Sequence, residues 1–327
     1  CAVLVIAVQY EFVSLGCVGI LLLNGISTAL NGQFTLIHIH GMDVADKGAI
    51  FNGEFRLVLH IDCIAVIFLG FECAVASNGQ IAAGADGIVL DVKCGSGAFM
   101  KTQKDAEALA HIMVEMGQHV GRKVTAIISG MDQPLGMYIG NSLEVMEAME
   151  VLKGNVKGDL LEVSLLLGAH MLLLAGRVQT EAEGKALLQQ QIDNGAGIAK
   201  FRELLIQQGG NPAIIEQPDL LPLSPCSLEV KAEKSGYLTH MDTAKIGRAS
   251  QETGAGRAFK EQPLDFGAGI ITKKRLGDYV EAGEVLAVIY SATDKACASA
   301  AEISQSALTI SAEKAPLPPL VLNIISA

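Results

Sequence analysis

The sequence predicts an α/β fold: a mixed sheet with flanking helices, plus a smaller β-rich C-terminal domain. Two unbroken apolar runs, GIVLDV (87–92) and VTAIIS (124–129), have the β-branched density of strands covered on both faces. A stretch with helical spacing separates them, which is the βαβα order of a layered sheet. Beyond Ser227 the pattern changes to short strand signals punctuated by glycine.

Residues 1–80 carry apolar stretches without caps or repeated spacing and stay unassigned. The α/β core is expected over 81–210. After the first strand, Thr102 and Asp105 form a capping pair for a helix whose apolar positions Ala106, Leu109, Met113 and Met116 share one face. Gly117 or Gly121 ends that helix. The second strand leads through GMDQPLGMYIG to Asn141 or Ser142 as the N-cap of a helix bearing Glu144 and Glu147. Helical stretches follow near 158–175, 179–194 and 198–208, the last two parted by Gly195, Ala196 and Gly197. Pro212, Pro218, Pro222 and Pro225 mark 211–226 as a linker. SLEVKA, GYLTH, GIITKK and VLAVIYS then supply the strands of a C-terminal domain over 227–327.

The 327 residues are half hydrophobic and 18% charged, the balance of a folded chain. A net charge of -11 without a Lys/Arg cluster argues against a nucleic-acid partner and for a small-molecule ligand. Seven cysteines with no C-x-x-C pair spell neither a disulfide framework nor a zinc knuckle, and they fit reduced thiols in the cytoplasm. The run from Phe12 to Leu23 is shorter than the roughly 18–20 residues a bilayer needs, and His60 and Asp62 interrupt the run from Leu57 to Phe71. Neither a membrane partner nor a signal peptide is therefore expected. The chain opens on Cys1 without an initiator methionine, from which a missing N-terminal segment is expected.

Three constellations invite chemistry. In DVKCGSGAFM (91–100), glycines follow a strand and Lys93 stands nearby, an arrangement that suits either an anion cradle or a tight strand-to-helix turn. It matches neither the Walker loop nor the dinucleotide fingerprint, whose third glycine is replaced by Met100. His38 and His40 share one face of a strand if TLIHIH is extended, the beginning of a metal-hydrolase grip or two ordinary strand histidines. His111, His119 and His170 sit in helical patterns and add no ligand. Lys295, in a D-K-A sequence after VLAVIYS, resembles the attachment lysine of a lipoyl or biotinyl carrier domain, although the CASAAEISQSALTIS that follows does not spell a second half of strands.

From Ile81 to about Ile325 the chain resembles the thymidine and pyrimidine nucleoside phosphorylases. The matching text is IAAGADGIVLDVKCGSGAFM (81–100), AIISGMDQPLG with GNSLEVMEAMEVLKG (126–154), IDNGAGIAKF (192–201), GAGR (254–257) and KKRLGDYVEAGEVLAVI (273–289). The resemblance implies reversible phosphorolysis, in which inorganic phosphate attacks C1′ of a pyrimidine nucleoside to give free base and ribose or deoxyribose 1-phosphate, with no organic cofactor. It implies a homodimer and a helical domain, here only partly present.

By the same resemblance, Phe99, Lys93, Gly95 and Gly97 belong to the base side of a substrate cleft, with Phe99 against the pyrimidine ring. Read from the residues alone, Phe99 is a core side chain after a turn. A monovalent cation, usually potassium, is implied at the backbone carbonyls of Leu135 and Tyr138 and the carboxylate of Glu147, which otherwise reads as an exposed helix glutamate. The family's phosphate loop K-H-S-T-G-G-V-G-D is not found. Its base-binding arginine, serine and lysine are also not found, and counting back from Ile81 places His60 and Gly79 near two of those positions. The catalytic residues are thus unassigned, the chain is about a hundred residues shorter at its start than the family pattern, and a noncatalytic nucleoside-binding or dimer-partner relative is the alternative.

Overall fold

The structure, a computed structural model, describes residues 3–8, 87–259 and 261–326. Its elements in chain order are β1 (Val3–Val8), β2 (Gly87–Cys94), α1 (Gln103–His119), β3 (Lys123–Gly130), β4 (Tyr138–Ile139), α2 (Asn141–Leu152), α3 (Asp159–Leu174), α4 (Glu181–Asp193) and α5 (Ala196–Gln207). They continue with β5 (Cys226–Lys231), β6 (Gly236–Met241), α6 (Thr243–Thr253), β7 (Gly269–Thr272), β8 (Tyr279–Val280), β9 (Val285–Ser291), α7 (Asp294–Ala307), β10 (Leu308–Ser311) and β11 (Val321–Ser326). His38, His40, His60, Gly79 and the two apolar runs of the N-terminal region lie outside the described residues.

The first sheet has the order β1-β2-β3-β11. β1, β2 and β3 run parallel and β11 joins antiparallel to β3, so the sheet is mixed. Strand alternation divides β2 and β3 between two cores. Ile88, Leu90, Val92, Val124, Ala126 and Ile128 pack with α1 residues, whereas Val89 and Ile127 pack with the cluster built from α2 to α5. Every residue of β2 is buried, as expected for a strand covered on both faces.

Helix signals agree with the sequence where the cap is a short polar side chain. Thr102 accepts from the Asp105 N–H at the start of α1, and Thr180 and Glu183 close a full capping box on α4. At α2 the expected cap differs. Gly140 is the N-cap; the Asn141 amide is drawn away to the Ala255 carbonyl, and the Gly140 N–H is taken by Glu144.

The remaining strands form two antiparallel sheets, β10-β6-β8 and β4-β7-β9-β5. The four strands expected from SLEVKA, GYLTH, GIITKK and VLAVIYS form as β5, β6, β7 and β9. Three features differ from a simple string of units. Within the segment 211–226, Pro212 and Pro218 open two 3-10 turns, and Ile214 and Ile215 are buried against the helical core. β4 leaves the first layer to pair with β7, and β11 returns from the C-terminal part to pair with β3. Lys295 lies in the first turn of α7, capped by Thr293, so it is not presented on a hairpin tip as a carrier lysine would be.

Candidate active site at the carboxyl ends of the strands

In a parallel sheet, ligands meet the loops that follow the carboxyl ends of the strands. Here those are residues 95–102 after β2 and 131–137 after β3, and they are knitted together. The Met131 N–H donates to the Cys94 carbonyl at 2.6 Å, and the Gly97 N–H donates to the Met131 carbonyl at 2.9 Å. The Ser96 N–H donates to Asp132 Oδ1 at 2.8 Å, and its hydroxyl donates to the Met241 carbonyl while accepting from the Thr243 N–H at the start of α6. Gly95 has a φ of 130°, and a Cβ there would press on Asp132; one at Gly97 would strike the Thr243 side chain. Close protein packing therefore accounts for both glycines.

Lys93 is 4% exposed and its ammonium is committed inside the protein. It lies 2.7 Å from Asp91 Oδ2 and 2.7 Å from Ser129 Oγ, and the Ser129 hydroxyl donates in turn to Asp91 Oδ1. Residues 91 and 93 point to the same side of β2, and Ser129 sits opposite Lys93 in the β2–β3 register, so the strands alone bring the three together. Phe99 is 53% exposed, which overturns its reading as a core residue.

The second loop turns back through β4. The Thr272 N–H donates to the Met137 carbonyl at 2.8 Å, just ahead of the β4–β7 register. At the first register pair, Tyr138/Ile271, the Tyr138 N–H is turned away from β7. Glu147 receives it. The Met137 N–H reaches Glu147 Oε1 at 2.7 Å and the Tyr138 N–H reaches Oε2 at 3.1 Å. Glu147 is 5% exposed, so it is no surface helix residue. A Cβ on Gly136 would collide with its carboxylate. Burial pushes the Glu147 carboxyl above its ordinary range, opposed by the two N–H bonds and by Arg275.

One turn earlier on α2, Glu144 is also buried, bonded to the Gly140 N–H at 3.1 Å. Burial, reinforced by the charge of Glu147, raises its carboxyl well above the ordinary value. The folded chain then keeps a proton that the unfolded chain has already lost, so stability is full below the ordinary glutamate range and falls as pH climbs towards the folded-state value. Glu144→Gln keeps an acceptor for Gly140 and removes the penalty. We expect its Tm to rise by about 2–4 °C at neutral pH and to match the unsubstituted protein at pH near 4. Calorimetry at the two pH values checks this, and an equal difference at both would contradict it.

A model described as "Glycosyl transferase family, a/b domain" matches residues 74–198, the span that holds both loops, and one described as "Pyrimidine nucleoside phosphorylase C-terminal domain" matches 237–311. A pyrimidine-nucleoside phosphorylase from Staphylococcus aureus strain bovine RF122 / ET3-1 is 52% identical over 212 residues, 65% of this chain and 49% of that protein. Those of strains USA300 and NCTC 8325 are 51% identical over the same length and shares. Over these spans the chain is similar to the pyrimidine nucleoside phosphorylases. It spans about half the length of the curated relatives it matches. Among the described residues of this pyrimidine nucleoside phosphorylase relative, no group of three or more His, Cys, Asp or Glu side chains could hold a metal ion, and no helix is long and apolar enough to cross a membrane.

Sequence reading of the phosphorylase motifs named Lys93, Gly95, Gly97, Phe99, Leu135, Tyr138 and Glu147. The structure gathers the first four around the loop after β2 and the last three around the loop after β3. It adds Asp91, Ser129, Asp132, Glu144, Thr272 and Arg275. Only the D-x-K spacing of Asp91 and Lys93 on a doubly covered strand gave a local signal for any of them.

Proposed function

We propose that the protein catalyses reversible phosphorolysis of pyrimidine nucleosides, a pentosyl transfer to inorganic phosphate. The similarity to the Staphylococcus aureus pyrimidine-nucleoside phosphorylases is the observation that carries this reading. The C1′–N1 bond breaks with its electron pair leaving on the base, the sugar gains oxocarbenium character, a phosphate oxygen forms the new bond to C1′, and the base takes up the proton that the dihydrogen phosphate gives up. The protein's share is positioning and electrostatics. Phe99, held out on a loop fixed by Asp132 and Thr243, supplies an aromatic face for the pyrimidine ring. The buried Asp91–Lys93–Ser129 cluster anchors the strand from which that loop springs.

The donors Leu135 O, Tyr138 O and the Glu147 carboxylate form an all-oxygen set that suits a hard monovalent cation such as potassium. The two N–H bonds that hold the buried Glu147 carboxylate at residues 137 and 138 support the same reading. Such a cation would supply a fixed positive charge that ties the loop after β3 to α2. We further place the protein in the cytoplasm as a homodimer. The free thiols Cys94, Cys226 and Cys297 support a reducing compartment, and sedimentation tests the dimer.

The deciding experiment measures release of free base from uridine and thymidine with and without phosphate, beside nucleoside binding to the same preparation. Phosphate-dependent release is expected. Binding without release would replace the enzyme by a nucleoside-binding relative, and neither would end the reading. In the same assays, Phe99→Ala is expected to weaken nucleoside binding roughly 5- to 30-fold, by analogy with base–aromatic stacking. Its Tm should stay within about a degree, because the ring is half exposed. Unchanged nucleoside affinity would remove Phe99 from the site.

A further inference from the structure

Arg275 belongs to the turn between β7 and β8, yet its guanidinium reaches into the loop after β3. One nitrogen donates to the carbonyls of both Pro134 and Gly136, and the other pairs with Asp159 at the first residue of α3. Next to it, the Leu276 N–H donates to Gln133 Oε1 at 2.9 Å, and the Gln133 amide also reaches Asp159. Thr272 takes the Met137 carbonyl twice, through its N–H and through its hydroxyl at 2.9 Å. Of the five consecutive carbonyls 134–138, the C-terminal part thus takes 134, 136 and 137. Leu135 and Tyr138 are the two that neither Arg275 nor Thr272 takes, and the Tyr138 N–H shows that this peptide edge faces Glu147.

We propose that Arg275 is a positioning residue which, with Thr272, sorts the carbonyls of residues 134–138 so that those of Leu135 and Tyr138 are left to hold a monovalent cation with Glu147. The inference rests on the cation reading given above and adds what builds that site. An extended loop alternates its carbonyls between two sides, but a turn through proline and glycine has no such rule, so an outside template must choose. A planar guanidinium suits the task because its fork spans several acceptors at once, whereas a lysine ammonium is a single point of attachment.

The test is thermal unfolding of the whole chain, with potassium chloride titrated against choline chloride at constant ionic strength. A ligand that binds only the folded state raises Tm along a saturation curve whose midpoint reports its affinity. The unsubstituted protein is expected to show that curve with potassium and not with choline. Arg275→Met is expected to move the midpoint upward about tenfold and Arg275→Lys about threefold, while Arg202→Met, which loses only an exposed pair with Glu216, leaves it in place. Should Arg275→Met fail to fold, Asp159→Asn, which frees one side of the guanidinium, is expected to give an upward shift of about threefold. No potassium response in the unsubstituted protein would overturn the cation reading itself. A normal response with the same midpoint in the Arg275 or Asp159 variants would overturn the role of Arg275 and leave the cation reading standing.

Discussion

Lys93→Met is expected to destabilise the protein by about 3–5 kcal/mol, because it strips the counter-charge from a carboxylate with no exposure to water. Asp91 would be left with the Ser129 hydroxyl alone, a neutral donor where an ammonium stood. Adding Asp91→Asn to the same chain removes the stranded charge, and about half the loss should return. Denaturant melts of the single and double variants measure both quantities. A loss below about 1 kcal/mol for Lys93→Met would mean that water reaches Asp91 and that the cluster opens to ligand, which would favour a direct substrate contact for Lys93.

Glu147→Ala is expected to cost about 2–4 kcal/mol, because the Met137 and Tyr138 N–H groups lose their acceptor in a buried position. It should also abolish any rise of Tm with potassium. Glu147→Gln separates the two effects: its carbonyl satisfies one N–H, recovering roughly 1 kcal/mol, while the missing charge still removes the cation response. A potassium response that survives both substitutions would exclude Glu147 as a ligand.

The strands β2, β3, β5, β6, β7 and β9 and the helices α1 to α5 were legible because each rests on a local pattern, whereas β1, β4, β8, β10, β11, α6 and α7 were not read. GIVLDV and VTAIIS are buried on both faces and read as continuous apolar runs, and the Thr102 cap follows from a hydroxyl three residues before its partner amide. The α2 cap was misread because Asn141 is a good local cap whose amide is engaged by Ala255, 114 residues away. Distance along the chain likewise hid Arg275, which meets Asp159 across 116 residues and Pro134 across 141. Glu147 has the composition of a surface residue, and only the fold shows that two backbone amides bury it. In the proline-rich stretch, prolines that set φ for 3-10 turns look the same in sequence as prolines in an extended connection, and the buried Ile214 and Ile215 between them were the available clue to the turns.

The return of β11 to β3 has a consequence for biosynthesis. On the ribosome, β2 and β3 can pair as soon as they emerge, but the outer edge of β3 stays open until residues 321–326 have been made. Its waiting edge is VTAIIS, an uncharged β-branched run of the kind that templates association between chains. The nascent protein therefore passes through a long interval in which its most adhesive strand is unguarded, and slower elongation or a stalled C-terminal segment should show up as aggregation of newly made chains before any effect on the finished fold.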